Sequence, residues 1–163
     1  MVESNLTAEQ IQALLDFSVD PPRWKARVSQ DTDAGDEAGH VRPSGYRWIK
    51  VKGRAYSAHR LVWRAKTGQW PRSELDHING MKADNRFENL REATRSVNCQ
   101  NLKSARAHNK STGVLGVYRR GDKFHANIRY DGKSHHVGVF LTVEQAHEAY
   151  LKAKRQYHSG CTI

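Results

Sequence analysis

The sequence predicts an α+β protein made of small elements. Its 163 residues are 37% hydrophobic, which is enough for modest cores but not for one large enzyme. A strand-like run at 75–78 ends at the turn dipeptide Asn79-Gly80, and Thr94 can cap a helix soon after it. Three further strand-like runs precede one amphipathic helix. We therefore predict a strand–loop–helix unit followed by a small three-stranded antiparallel sheet packed on one helix.

The first part, 1–57, is predicted to contain a short helix and two strands. Thr7 with Gln10 indicates a capped helix start, and Pro21-Pro22 are expected to stop this helix. Strand-like runs follow at 23–28 and 46–51, separated by an acidic, glycine-containing stretch, and Gly53 predicts a hairpin turn. We expect this part to belong to the same module as the segment after it.

The second part, 58–107, carries the strand–loop–helix unit. A helix is predicted over 58–66, ended by Gly68 and Pro71. The 75–78 strand is followed by a second extended piece at 87–90 and by a helix from Thr94 to about residue 102.

The third part begins after a polar stretch at 108–112, which we interpret as a linker. Strands are predicted over 113–119, 124–130 and 133–140, and a helix from Thr142 that Gly160 closes. The C-terminal domain is therefore placed at 113–163.

Charge and cysteine content narrow the classes of function. The net charge is +10 and the pI about 9.9, and the basic excess begins after the first fifty residues. Such a balance favours a polyanionic partner such as nucleic acid. Only Cys99 and Cys161 occur, which excludes a disulfide framework and a cysteine zinc site. With no signal peptide and no apolar run of about 20 residues, we expect a soluble intracellular protein without membrane partners.

Oxygen and imidazole side chains are dense within the strand–loop–helix unit. They are Asp76, His77, Asn79, Asp84, Asn85, Asn89 and Asn98. Strand alternation alone does not gather them, since Asp76 and His77 lie on opposite faces of one strand. Some of them are ordinary turn formers, as we expect for Asn79 and Asp84.

Four consecutive motifs in this unit resemble the phage and intron-encoded HNH endonucleases. They are AHRLVW at 58–63, LDHING at 75–80, DNRFENLR at 84–91 and TRSVN at 94–98. The resemblance covers about residues 58–102 and implies a ββα-metal (His-Me finger) fold. In that fold a hairpin and a helix hold one divalent ion against the scissile phosphate.

Residue roles follow from the resemblance, position by position. It implies that Asp76 and Asn98 bind the ion and that His77 is the general base. Asn89 would hold the loop and orient the His77 imidazole, and Asn85 would share this role. Two oxygen ligands favour Mg²⁺ or Mn²⁺ over zinc. His59 is interpreted as a packed structural histidine.

The third part resembles the plant Apetala and ethylene-response DNA-binding domain. The matching runs include GVYR at 116–119, FHANIR at 124–129, VGVF at 137–140 and TVEQA at 142–146. Alternation predicts that Phe124, Ala126 and Ile128 face the helix and that the opposite face is polar. The DNA-contacting residues are predicted to be Arg119, Arg120, Lys123, His125, Asn127, Arg129, Lys133 and His136. A merely solvated sheet face is the alternative.

The functional expectation is a metal-dependent HNH endonuclease that nicks double-stranded DNA without a small-molecule cofactor. It would act as a monomer or homodimer in the cytoplasm of a phage-infected or bacterial host cell, with homing as the setting that the resemblance implies. A catalytically silent DNA-binding regulator and an RNA nuclease are the competing hypotheses.

Overall fold

The computed structural model describes residues 6–102, 104, 105, 109 and 111–161, so part of the predicted 108–112 linker lies outside the described residues. The chain forms two compact units, Met1–Thr94 and Arg95–Ile163. The division falls earlier than the predicted linker. Helix α3 and the segment after it belong to the second unit, where the Lys154 ammonium donates to Leu102 O and Gly160 N donates to Gln100 Oε1.

The described part of the first unit, 6–94, contains two α-helices and seven short strands. In chain order they are α1 (Ala8–Leu14), β1 (Leu15–Asp16), β2 (Arg23–Trp24), β3 (His40–Val41), β4 (Arg47–Val51), β5 (Arg54–Ser57), α2 (Ala58–Thr67), β6 (Glu74–His77), a 3₁₀ turn (Phe87–Asn89) and β7 (Leu90–Ala93). The strands form an antiparallel pair β1-β2, a sheet β3-β4-β5 and an antiparallel pair β6-β7.

Helix α1 starts as predicted but ends earlier. Thr7 and Gln10 form a reciprocal capping box, yet the helix stops at Leu14 and not at Pro21-Pro22. Leu15 instead pairs with Trp24 across β1-β2. The predicted strand at 23–28 is correspondingly reduced to β2, where Trp24 N donates to Asp36 O and Trp24 O accepts from Gly35 N of the following loop.

Helix α2 matches its prediction closely and supplies much of the first core. Leu61 and Ala65 are buried together with Ile11 from α1 and Ile49 from β4. Gly68 ends the helix in the left-handed conformation, at φ +74°, and its N–H donates to Arg64 O. This core fixes the start of α2 against β4 and β5, which positions His59.

The predicted extended piece at 87–90 is wrong in its first three residues. Phe87–Asn89 form a 3₁₀ turn, and only then does β7 begin. Within the turn Asn89 N donates to Arg86 O, and Asn89 O accepts from Ile78 N. The turn therefore brings the loop back onto the end of β6.

The second unit contains a short helix, a three-stranded sheet and a long helix. These are α3 (Arg95–Gln100), β8 (Val117–Arg120), β9 (Lys123–Tyr130), β10 (Lys133–Phe140) and α4 (Val143–Tyr157). The sheet is antiparallel in the order β10-β9-β8, as a meander requires. Thr142 caps α4 as predicted, whereas the helix ends at Tyr157, before Gly160.

The inward face of β9 confirms the predicted alternation. Ala126 and Ile128 are buried against Ala146 and Tyr150 of α4, and Phe124 packs at the edge of the same core. Gly116 lies under the Tyr150 ring, where a Cβ atom would come within 2.1 Å of a ring carbon. The opposite face of β9 is therefore left for solvent or for a partner.

Candidate active site

Strand β6 carries the adjacent side chains of Asp76 and His77. The β6-β7 register pairs Asp76 with Arg91 and His77 with Leu90. Because opposed residues of an antiparallel pair share a face, the Arg91 guanidinium reaches the carboxylate. Its Nε and Nη2 donate to Asp76 Oδ2 at 3.0 and 2.8 Å. The carboxylate is thereby held, almost fully buried, at the end of the strand.

The His77 imidazole is enclosed by three side chains of the same unit. Its Nε2 lies 3.4 Å from Asn85 Oδ1, and its ring centroid lies 5.3 Å from that of His59 and 5.9 Å from that of Tyr46. Burial lowers the pKa of His77, although the hydrogen bond with Asn85 opposes this effect. A lowered pKa favours the neutral imidazole, which is the form that accepts a proton.

Asn89 closes the loop that follows β6. Its Oδ1 accepts from Asn79 N at 2.9 Å, and its Nδ2 donates to Asp84 O at 2.8 Å. Asn89 is 8% exposed, and its bond to Asp84 O is buried whereas its bond to Asn79 N is partly buried. One amide thus joins the beginning and the end of the loop.

Asp84 is the second anchor of this loop. Its carboxylate accepts from Arg86 Nε and Nη2 at 2.9 and 2.7 Å and from Asn79 Nδ2 at 2.7 Å. The hydrogen bonds from Arg86 are the main reason that the pKa of Asp84 falls to about 2, from an ordinary value of 3.8. Asp84 is therefore a charged structural residue at neutral pH.

The lowered pKa of Asp84 predicts an acid-sensitive loop. A carboxyl group whose pKa is lower in the folded state stabilises that state above its unfolded pKa, and this contribution is lost as the pH falls toward the folded pKa. We expect the difference in free energy of unfolding between the parent and Asp84→Asn to be constant above about pH 5 and to shrink between about pH 4 and pH 2. Urea unfolding at several pH values measures it. An undiminished difference at pH 2 would contradict the ion-pair assignment.

Three of the four residues with predicted catalytic roles lie in the first unit. Asp76, His77 and Asn89 all flank the loop at 78–86, and Ile78 N donates to Asn89 O. Asn98 is half-buried on α3, in the second unit. The hydrogen bonds described for the Asn89 side chain go to the loop backbone, whereas Asn85, for which a shared role was predicted, lies beside the imidazole. All four roles stay predictions.

Tyr46 and His59 are the neighbours that sequence reasoning did not assign to the site. His59 is largely buried, which lowers its pKa to about 3, so it stays neutral. Its Nδ1 finds no hydrogen-bond partner among the described residues. Burial and the nearby Asp76 charge raise the pKa of Tyr46. The AHRLVW motif marked the position of His59, but no local pattern marks Tyr46.

The predicted DNA-contacting residues of the second unit lie on both faces of the β8-β9-β10 sheet. Arg120, Lys123, His125, Asn127, Arg129 and His136 share the face opposite the core. Arg119 pairs with Phe124 and Lys133 with Tyr130, so by register these two belong to the helix side, at the sheet margin. Arg119 and Lys133 are nevertheless exposed, and DNA contact by all eight residues stays a prediction.

On the outward face of this sheet, aromatic rings stack on one another and one histidine contacts an asparagine. Tyr118, which sequence reasoning did not select, stacks on His125 with ring centroids 5.2 Å apart. His136 Nδ1 lies 3.0 Å from Asn127 Oδ1. The face combines aromatic rings, an amide and three cationic side chains, which is a composition suited to contacts with nucleic acid.

No group of three or more His, Cys, Asp or Glu residues in the described part of the chain is arranged to bind a metal ion. An ion held by one carboxylate and one amide would not need such a group, since water and phosphate oxygens complete the shell. The Asp76 carboxylate fits a hard, oxygen-ligated cation, and an incoming ion would compete with Arg91 for it. In the same described part, no helix combines the length and apolar character of a membrane span.

Comparison with known families identifies one match. A family model described as HNH endonuclease matches residues 56–100, which is less than half of the chain but contains α2, β6, β7 and α3. This match supports nuclease activity. Neither the curated proteins nor the solved structures gave a match.

Proposed function

We propose that the chain is a metal-dependent endonuclease that hydrolyses a phosphodiester bond of double-stranded DNA. The observation that carries this proposal is that a buried imidazole, His77, whose pKa is lowered by burial, directly follows the buried Asp76 carboxylate at the end of β6. The loop beside them is fixed at both ends by Asn89. The match of residues 56–100 to the HNH endonuclease family supports the same conclusion.

His77 would act as the general base. A phosphodiester resists attack by water, so the attacking water must lose a proton as its oxygen bonds to phosphorus. The imidazole takes that proton, the bond between phosphorus and the leaving oxygen breaks, and the leaving oxygen takes a proton from solvent. Asn85, 3.4 Å from Nε2, orients the ring during this transfer.

Asp76 and Asn98 would hold one Mg²⁺ or Mn²⁺ ion. When bound, such an ion offsets negative charge on the leaving oxygen. Asp76 supplies a carboxylate oxygen and Asn98 an amide oxygen, both of which suit these cations. With one such centre per chain, a monomer would nick one strand and a homodimer would cut both.

Site choice would depend on the outward face of the β8-β9-β10 sheet. Arg120, Lys123 and Arg129 provide cationic contacts to phosphates or guanine edges, and Asn127 can pair with an adenine edge. The proposed resemblance to the Apetala and ethylene-response domain assigns this sheet to the major groove. Homing is the proposed biological setting.

Plasmid cleavage tests the metal-dependent activity. We expect the parent to convert supercoiled plasmid into the nicked form with Mg²⁺ or Mn²⁺ and to leave it intact with EDTA. Asp76→Asn keeps the side-chain volume but removes the charge that attracts the ion. It should therefore raise the half-saturating ion concentration by about tenfold or more.

Asp31→Asn is the matched control, because Asp31 is an exposed loop carboxylate of the same unit. It should nick like the parent. A parent that binds duplex DNA but never cuts it would support the silent regulator instead. Faster cleavage of RNA than of DNA by one preparation would support the RNA nuclease.

A further inference from the structure

A long stretch of the first unit carries no acidic residue. Between Glu37 and Glu74 the sequence contains nine Lys or Arg residues and neither Asp nor Glu. This stretch includes β3, β4, β5 and α2. The basic excess of the chain is therefore concentrated on elements of the first unit, two of which lead to His77: α2 carries His59, and Tyr46 directly precedes β4.

The β3-β4-β5 sheet turns part of this charge outward. In β4, Ile49 and Val51 are buried, whereas Trp48 and Lys50 point to the opposite side, with Lys50 exposed. His40 of β3 pairs with Trp48. We call this surface the basic face and define it by His40, Arg42, Trp48, Lys50 and Lys52, all of which border one groove of about 910 Å³.

Among the residues that the structure describes, no carboxylate pairs with a cation of the basic face. Arg42 stacks its guanidinium 4.0 Å from the centre of the Trp48 ring, and neither it nor Lys50 nor Lys52 forms an ion pair with a described residue. Glu37 also borders the groove, but it is bonded to Arg47 at 3.0 Å. Three positive charges are therefore available to an external anion.

Lys52 occupies a backbone position that is unusual for lysine. It lies at the tip of the β4-β5 hairpin with φ +47°, next to Gly53 at φ +78°. Asn and Gly are the residues that best tolerate this two-residue turn, so the backbone conformation does not favour lysine at position 52. Its position at the tip places the ammonium group at the far end of the basic face.

The basic face is continuous with the candidate active site. Tyr46 precedes β4 in the same alternation as Trp48 and Lys50, and its ring contacts that of His77 at 5.9 Å. Lys82 from the 78–86 loop lies over the Tyr46 ring and donates to Ser44 O at 3.1 Å. Because a strand rises about 3.3 Å per residue, Lys50 lies about 13 Å from Tyr46 along β4.

We propose that the basic face binds the phosphate backbone of duplex DNA beside the bond that is cut. The inference rests on the proposed nuclease function and adds a contact surface to it. A distance of about 13 Å corresponds to about four base pairs of rise, so a duplex lying against Tyr46 also passes Trp48 and Lys50. This surface fixes the duplex at the active site, separately from any site choice by the C-terminal sheet.

Salt-dependent binding of the full chain to a labelled duplex tests the proposal. Binding is measured in EDTA, so that no cleavage intervenes, between 50 and 200 mM KCl. The logarithm of the association constant falls linearly with the logarithm of the salt concentration, and each lost phosphate contact reduces the steepness of this slope by about 0.9. We expect the triple variant Arg42→Ala, Lys50→Ala, Lys52→Asn to lower the slope by about 2 to 3 and to raise Kd at least tenfold.

A second triple variant, Lys25→Ala, Lys66→Ala, Arg72→Ala, removes the same charge from exposed positions elsewhere in the unit. It should change the slope by less than about 0.5, because long-range charge alone does not release phosphate counterions. Lys52→Asn alone should lower the slope by about 0.9 without lowering the unfolding temperature, since asparagine suits the turn.

Equal slopes for the two triple variants would overturn the proposal. The first triple variant is also tested for binding to polyglutamate. If it weakened polyglutamate binding as much as duplex binding, the proposal would be overturned, because the basic face would then bind any polyanion. Absence of plasmid nicking by the parent is a separate result: it refutes the nuclease function and leaves the comparison of binding slopes intact.

Discussion

Replacing His77 with alanine is expected to lower the rate of DNA nicking at saturating duplex by about 10²- to 10⁴-fold. General bases contribute rate enhancements of this size, and no other described imidazole is placed to substitute. His59 lies against His77, but burial holds its pKa at about 3, so it is a weak base. The measurement is the single-turnover rate of plasmid nicking with Mn²⁺.

Two further variants separate the loss of the base from a loss of structure. His77 is 4% exposed and packs on Tyr46 and His59, so alanine leaves a cavity. His77→Gln fills more of this space and should be as inactive as the alanine variant, while it unfolds closer to the parent temperature. His147→Ala, on α4 of the second unit, should nick at the parent rate. Parent-like nicking by His77→Gln would contradict the assignment.

The C-terminal sheet could be predicted from sequence because its signals are local. Strand β9 alternates between buried and exposed positions, and the turns at Gly121-Asp122 and Asp131-Gly132 fix its ends. Each turn connects neighbouring strands, so the register follows from a few adjacent residues. The exception is the first strand, which was predicted over 113–119 but begins only at Val117, after Gly116 in the left-handed conformation.

The N-terminal elements were less predictable because long-range pairing determines them. The apolar run from Ile11 to Phe17 suits a helix, yet Leu15 leaves the helix to pair with Trp24. A helix of seven residues has little intrinsic stability, so the tertiary pairing decides where it ends. Local propensity contains no information about such a partner.

In the candidate site, too, the residues with local sequence signals could be predicted and those brought in by long-range packing could not. Asp76 and His77 stand out in the sequence because a strand carrying an acid and an imidazole ends at a turn. The surroundings of His77 do not, since Tyr46 and His59 reach it from β4 and α2. Which amide lies near the imidazole, Asn85 or Asn89, also depends on the 3₁₀ turn at Phe87–Asn89, which the sequence did not indicate.

Asn89→Ala is expected to cause the largest loss of stability in the loop. The substitution leaves Asp84 O without a buried partner and Asn79 N without a partly buried one. A buried polar group left without its bond costs about 1–3 kcal/mol and a lost partly exposed bond about 0.5–1.5 kcal/mol, so the free energy of unfolding should fall by about 2–4 kcal/mol. Urea unfolding measures this change, which is a large part of the stability of an ordinary domain.

Two comparisons show whether the two amide bonds are the cause. Asn89→Asp keeps the acceptor for Asn79 N but loses the donor to Asp84 O, so its loss of stability should lie between those of the parent and Asn89→Ala. Asn79→Ala removes a half-buried amide of the same loop, whose groups can reach water, and should cost less than Asn89→Ala. If Asn89→Ala unfolded at the parent urea concentration yet lost nicking, Asn89 would act on the chemistry and not by closing the loop. If it lost both, the loop that Asn89 closes is what holds His77 and Asp76 in place for catalysis.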